Sequence, residues 1–339
     1  MMTQTLELLW ITNRGERHQQ SALRAAPPGV HVSMCRNPDE MRLYNLLHHA
    51  DVLISERGGS IDADDLAQAP RLKLIVRLGS LTHDIDLEAC QARGIAVSRQ
   101  PVIGSILVAE HIMMMILALV KRLNETQSAL LRADHGLSAV RSGEDTFSYN
   151  WNRLSGIGGL IHKTVAITGM GEIGVELARR LQPFHPAAIL YHKRTRYPAD
   201  VEASLSLHYA SPENCYQQAD FLVNLLPYSP ETELSINASV FSQMKSGSFV
   251  VHAGSGSTLH ESDLVDAIVS GRLSGAALDT YEYEPLPADH PLIALARDPK
   301  HNLILTPHIA GGSTAPDRRE DYAEVERFRA GESLHFRII

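Results

Sequence analysis

The chain has no excess of positive charge, few cysteines and no long apolar run, and each absence removes a class of protein. Its 339 residues carry 31 Lys and Arg against 39 Asp and Glu, a formal net charge of −8. No basic face is therefore supplied for nucleic-acid phosphates. The three cysteines, Cys35, Cys90 and Cys215, are odd in number, far apart and without a CxxC pair, which fits reduced thiols in a cytoplasmic protein. Met1 to Trp10 lack a basic segment leading into an apolar core, so no signal peptide is expected. The longest apolar stretch, Ile112 to Val120, is too short to cross a bilayer; it reads as part of one buried helix from Ser105 to about Leu123. The 17 histidines show no HExxH or comparable ligand spacing, and no metal is expected. Repeats and low-complexity segments are also missing.

What remains is an α/β pattern, in a chain long enough for two domains. Leu6–Ile11, Asp51–Ser55, Leu72–Val76 and Gly94–Val97 read as strands separated by helical segments, with a helix-like stretch after the first. A polar, poorly patterned region follows the long helix through Asn152. A second series starts at Thr164, with strands at Val165–Thr168, Ala188–Tyr191, Phe221–Leu225, Phe249–His252, Ala276–Leu278 and Leu303–Thr306. A helix is expected from about Leu259 to Ser270, with Thr258 and Glu261 as a capping box and Gly271 at its end. Parallel sheets in two Rossmann-like or flavodoxin-like domains are expected. Residues 1–103 and 311–339 would form one domain, and 104–310 a nucleotide-binding domain inserted into it.

The strand Thr164–Thr168 runs into Gly169-Met170-Gly171-Glu172-Ile173-Gly174. Strand, glycine turn and helix start come in the order that a dinucleotide pyrophosphate requires. Gly169 permits the tight turn, Gly171 lets backbone approach the phosphates, and Gly174 lets the helix pack on the strand. The helix N-terminus then offers N–H groups to the anion. The next strand ends in Tyr191-His192-Lys193-Arg194-Thr195-Arg196. The acid that would hold an NAD ribose hydroxyl is absent there. His192, Lys193, Arg194 and nearby Arg196 suit a 2′-phosphate instead, so NADP(H) is expected over NAD(H).

Three further blocks are Val251-His252-Ala253-Gly254-Ser255-Gly256, Gly275 to Pro285 (GAALDTYEYEP) and Leu305 to Gly312 (LTPHIAGG). Together with Val108-Ala109-Glu110-His111 and the glycine turn, they resemble the D-2-hydroxyacid dehydrogenase family (the glyoxylate/hydroxypyruvate reductase type) over nearly the whole chain. The resemblance implies that His308 is the general acid or base on the reacting oxygen and that Glu284 holds its ring and favours the imidazolium form. It implies that Asp279 orients the nicotinamide carboxamide, and that Leu226, Pro227 and Thr232 lie along the cofactor with Glu172 and Ile173. It also implies a homodimer.

Two features depart from that family. Its N-x-x-R-G pattern is here His252-Ala253-Gly254-Ser255-Gly256, so Ser255 stands where an arginine binds the substrate carboxylate. In the substrate loop, Gly79-Ser80-Leu81 within Arg77 to Asp86, Leu81 replaces a glycine. Charge-assisted hydrogen bonds contribute about 1.5–3 kcal/mol each. Losing a bidentate pair would cost roughly 3–5 kcal/mol, or about a hundred- to several-thousand-fold in kcat/KM. The expected substrate is therefore a carbonyl or imine compound without an adjacent carboxylate, with Ser255 offering a neutral hydrogen bond. One alternative is a conventional 2-oxo acid reductase in which Arg77, Arg99 or His252 supplies the cation. Another is a non-catalytic NADP(H)-binding regulatory protein, against which the retained His308 and Glu284 argue.

Overall fold

The computed structural model describes residues 5–56, 59–134, 136–312 and 318–339. They form two compact units. One comprises the residues up to Ile103 together with the C-terminal segment from Arg318, and the other begins at Gly104 and runs through Gly312.

The first unit is built on a parallel sheet of β1 (Leu6–Thr12), β2 (Val30–Arg36), β3 (Val52–Glu56), β4 (Leu74–Leu78) and β5 (Ala96–Gln100), in the order β2-β1-β3-β4-β5. The interior strands β3 and β4 are buried at every position, as strands covered on both faces must be. Four strands lie within three residues of their expected places. The exception is β2, in a stretch that the sequence presents as helix-like. It is an edge strand with Cys35 as its one buried residue, so it needs no continuous apolar run and leaves none to read.

The C-terminal segment belongs to this unit. The Tyr322 ring stands edge-on to Trp10 at 5.3 Å, and its hydroxyl donates to the Ala22 carbonyl at 2.8 Å. The helix Ala323–Ala330 follows, and the last residues then run along β5. Arg99 N donates to Phe336 O and Ile338 N to Val97 O, each at 2.9 Å. This covers the outer edge of β5, which would otherwise present unpaired N–H and C=O groups. The turn is anchored by Glu324, which is 0% exposed and accepts hydrogen bonds from Ser98 Oγ, His335 N and Phe336 N.

The second unit holds seven parallel strands: β6 (Thr164–Thr168), β7 (Ala188–His192), β8 (Leu207–Tyr209), β9 (Phe221–Asn224), β10 (Ser248–His252), β11 (Leu273–Leu278) and β12 (Leu303–Leu305). Their order is β12-β11-β10-β9-β6-β7-β8, so the winding reverses between β6 and β9. The sequence gives six of these. β8 escapes because it is a three-residue edge strand with only Leu207 buried.

The helix after the glycine turn spans Glu172–Leu181 and passes into a short 3-10 turn at Gln182–Phe184. The long apolar helix is Ile103–Val120. Its 18 residues are long and apolar enough to cross a bilayer by length and composition, and half of them are packed inside the fold. A second helix, Leu123–Arg132, lies in the stretch read as unpatterned. None of its residues is buried, so it has no core-facing stripe to reveal it.

The helix expected at Leu259–Ser270 is Glu261–Val269, and Gly271 with φ +74° follows it. The proposed capping box is not formed. His260 is the N-cap and makes no side-chain cap bond. Thr258 Oγ1 donates instead to Ser255 O at 2.7 Å, and Glu261 accepts from Glu282 N at 3.1 Å. Thr258 Oγ1 also accepts from Asn224 Nδ2 at 2.9 Å, so tertiary partners draw both side chains away from the local motif.

Replacing Glu324 with Ala removes the acceptor of the buried Ser98 hydroxyl and of two backbone amides, at an expected cost of about 1–3 kcal/mol in denaturant unfolding. Hydrogen exchange at Phe336 and Ile338 should accelerate before the rest of the unit opens; unchanged protection there would refute the anchoring role.

Candidate functional site

The site lies at the C-terminal ends of the strands in the second unit, where open α/β sheets bind ligands at the point of reversed winding. Gly169 ends β6 with φ +84°, and a Cβ on it would sit 2.5 Å from Leu225 C and 2.6 Å from Leu226 N. The phosphate turn is thus pressed directly on the backbone that leaves β9. At Gly171 the nearest atom to an added Cβ is 4.0 Å away, and at Gly174 it is Met170 Sδ at 2.6 Å. Gly171 is the N-cap and makes no side-chain cap bond. Glu172 and Ile173 open the helix directly behind a glycine that brings no side chain of its own over the first turn, so the surface there is open to backbone approach. These features fit a dinucleotide pyrophosphate.

The same close packing continues along the edge. A Cβ on Gly254 would lie 2.7 Å from Leu226 O, and one on Gly256 1.7 Å from Tyr281 O. Ser255 N donates to Leu226 O at 2.9 Å. The Leu226–Pro227 turn is tied by Thr232, whose Oγ1 donates to Pro227 O at 2.7 Å and accepts from Ser229 N at 2.8 Å. Gly169, Leu226, Ser255 and Tyr281 thus form one continuous surface.

Beyond it stands the acid–imidazole pair. Glu284 Oε2 lies 2.7 Å from His308 Nδ1, and Glu284 Oε1 accepts from Tyr281 N at 3.1 Å. A carboxylate cannot donate, so Nδ1 carries a proton and Nε2 is the nitrogen left for chemistry. The His308 side chain is 60% exposed. Its backbone is left-handed, with φ +52°, a conformation that histidine adopts more readily than most residues.

Asp279 holds that turn. It is 1% exposed and accepts from Thr306 Oγ1 at 2.6 Å, Ile309 N at 3.0 Å and Ala310 N at 2.9 Å. His111 Nε2 is 3.0 Å from Thr306 Oγ1. In this arrangement Asp279 shapes the His308 loop; any contact with a carboxamide would use its remaining acceptor positions.

At the end of β7 the four cations part company. His192 Nδ1 donates to Ala210 O at 2.9 Å, and the Lys193 ammonium lies 3.7 Å from the centroid of the Tyr197 ring. Arg194 is exposed. Arg196 is engaged elsewhere, bidentate on Glu202 at 2.8 and 2.7 Å, and its hydrogen bonds hold that carboxyl down to about 2. Lys193 and Arg194 thus stay at the strand end, while Arg196 is committed to Glu202.

His252 is not the replacement cation. It is 0% exposed, and burial pushes its imidazole down to about 4. Nδ1 accepts from Asn224 Nδ2 at 3.0 Å, and Nε2 has no hydrogen-bond partner among the described residues. Asn224 also donates to Thr258 Oγ1 at 2.9 Å. A neutral network of His252, Asn224 and Thr258 therefore stands behind the Ser255 loop. This network was not visible in the sequence, because its members are 28 and 34 residues from Asn224. In the first unit, Arg77 is 4% exposed and its Nε–H is shared between the two Asp84 carboxylate oxygens at 3.1 and 2.9 Å. That pair fixes the loop of Gly79 (φ +144°), Ser80 and Leu81, the last two also buried. Arg99 is exposed on β5.

The geometry is that of a dinucleotide-binding oxidoreductase domain carrying an acid–imidazole pair. A family model for the NAD-binding domain of D-isomer specific 2-hydroxyacid dehydrogenases matches residues 113–310, and the chain belongs to that family. It is 32% identical over 287 residues to glyoxylate/hydroxypyruvate reductase B of Yersinia pestis bv. Antiqua, covering 84% of this chain and 82% of that one. It is 31% identical over 297 residues to D-3-phosphoglycerate dehydrogenase of Mycobacterium leprae, covering 87% of this chain but 52% of the relative; the chain spans about half the length of that enzyme. The PH0520 protein of Pyrococcus horikoshii OT3 superposes with a TM-score of 0.56 at 26% identity, covering 98% and 95% of the two chains.

The depressed His252 group has a consequence for stability. Between about pH 6.5 and pH 4 the unfolded chain binds a proton at this residue that the native protein does not, so stability falls as the pH is lowered through that window. His252→Leu should flatten the pH dependence of unfolding there by up to about 1.4 kcal/mol per pH unit. An unchanged slope would show that the group is not held neutral.

Proposed function

We propose that the protein is an NADPH-dependent reductase of a carbonyl or imine compound that lacks a carboxylate next to the reacting carbon. The observation that carries this reading is the Glu284–His308 pair at 2.7 Å, combined with Ser255 where the family pattern has arginine. His252, three residues away, is neutral and buried, and it brings no cation to the Ser255 loop. A bound nicotinamide supplies the hydride. His308 holds the transferable proton at Nε2 and gives it to the oxygen or nitrogen of the substrate as negative charge develops there. Glu284 keeps the opposite ring nitrogen protonated and the ring oriented. Ser255 offers one neutral hydrogen bond to the substrate. Lys193 and Arg194, at a strand end with no carboxylate in the ribose position, support the preference for the 2′-phosphate.

A second reading is a glyoxylate or hydroxypyruvate reductase. It is favoured by the similarity to glyoxylate/hydroxypyruvate reductase B and requires a cation other than His252. A screen of carbonyl, imine and 2-oxo acid substrates with NADPH and NADH separates the two. The leading reading expects turnover with NADPH, lost about 10²–10⁴-fold in His308→Ala. It also expects Ser255→Arg to gain glyoxylate reduction while losing the native activity. Efficient reduction of glyoxylate by the wild type would establish the second reading, and cofactor binding without any turnover would sink both.

We also propose a homodimer formed through the second unit. A groove of about 860 Å³ there is lined by Met113, Met114, Leu117, Leu123, Pro183 and Phe184, of which Met114, Leu123 and Phe184 are 43%, 48% and 38% exposed. A contiguous apolar surface of this kind on an independent unit favours a protein partner, and a second copy covers both faces at once. Sedimentation should give twice the chain mass for the wild type and a monomer for Met114→Glu. A wild-type monomer would refute the pairing.

A further inference from the structure

Behind Glu284 lies a second acid–imidazole pair for which the mechanism above has no role. Glu261, in the first turn of the Glu261–Val269 helix, is 5% exposed. Its two carboxylate oxygens are divided between two partners. Oε1 accepts from the backbone N–H of Glu282 at 3.1 Å, and Oε2 lies 3.1 Å from His290 Nε2. His290 Nδ1 in turn accepts from Leu292 N at 3.3 Å, capping the Pro291–Ala296 helix. An Nδ1 that accepts cannot carry a proton, so the ring proton sits on Nε2 and is donated to Glu261. The tautomer is therefore set by both ends of the contact.

These bonds close around the segment Tyr281 to His290, in which Glu284 sits. At its near end, Tyr281 N holds Glu284 Oε1, and Tyr281 OH donates to Thr306 O at 2.9 Å, two residues before His308. On one side the segment is pressed against Gly256, which has no room for a side chain. Glu261 grips the amide between these points, and His290 ties down the far end. Burial raises the Glu261 carboxyl above its ordinary range, while the Glu282 amide and His290 oppose that shift. A carboxyl placed in so unfavourable a position, with both oxygens engaged by one loop, is an anchor for that loop.

We propose that Glu261, through His290 and the Glu282 amide, is a positioning residue that sets the Glu284 carboxylate against His308. The inference rests on the reading of Glu284 and His308 as the proton-transfer pair. Glu261 touches neither substrate nor cofactor and acts through Glu284.

The test compares Glu261→Ala, Glu261→Gln and Glu284→Gln in the full-length protein. The first readout is the chemical shifts of the two His308 ring nitrogens, which report the Nδ1 hydrogen bond without any need for turnover. Glu284→Gln sets the scale for its loss. Glu261→Ala should move the shifts most of the way to that limit. Glu261→Gln keeps an oxygen for the Glu282 amide and should restore most of the wild-type signature. The second readout is kinetic. Glu261→Ala should lower kcat about 10- to 100-fold, as expected for a misplaced catalytic group, and leave KM nearly unchanged. Wild-type His308 shifts in a folded Glu261→Ala variant would overturn the proposal, as would a fall in melting temperature with kcat intact. Loss of the signature in Glu261→Ala when no variant, nor the wild type, shows turnover would leave the brace standing and count against the reductase reading alone.

Discussion

Direct contact of backbone on backbone, at positions where no side chain fits, holds the functional edge of the second unit together. Gly169 lies on the chain leaving β9, Gly254 on Leu226, and Gly256 on Tyr281. Each contact is closer than any Cβ allows. Through them the phosphate turn, the Leu226–Pro227 turn, the Ser255 loop and the Tyr281–Glu284 loop become one surface. Side-chain bonds then add orientation. Asp279 shapes the turn that presents His308, and Glu284 fixes the proton on its Nδ1. The surface needs the glycines first, because no hydrogen-bond network could form across loops held an ångström or two further apart.

The electrostatics of this surface are unusual for a family whose substrates carry a carboxylate. Where an arginine would stand there is a serine, and behind it a histidine kept neutral by burial. The charge of the site is concentrated in the Glu284–His308 pair and, at the end of β7, in Lys193 and Arg194. Arg196 is withdrawn from the latter group by Glu202. The proposed transfer to a neutral acceptor rests on this distribution of charge, with a serine in the arginine position and a neutral, buried His252 behind it.

Much of the fold is legible in the residues. Interior strands are continuous apolar runs, because helices cover both faces, and these stood out at Val165–Thr168, Phe249–His252 and Leu72–Val76. The edge strands β2 and β8 did not, since a strand with one buried residue has no pattern to display. The helix Leu123–Arg132 was hidden for the same reason. The pairing of Thr258 with Glu261 obeyed a sound local rule and failed because each side chain found a tertiary partner that the local sequence does not contain. Site residues followed the same division. Gly169, Gly174, Glu284 and His308 belong to contiguous motifs with a chemical logic, whereas Asn224, His252 and Thr258 form a network only once β9 and β10 are side by side and the turn after β10 reaches Asn224.

The sequence by itself determined the parallel α/β architecture, the phosphate turn, the lack of an acid at the end of β7 and the serine in the arginine position, because each is written in neighbouring residues. Tertiary structure alone decided that His252 is neutral, that Arg77 and Arg196 are engaged by carboxylates, and that Glu261 braces the loop of Glu284. Charge state and availability depend on burial and on partners brought in from distant parts of the chain, and no local stretch of sequence carries either.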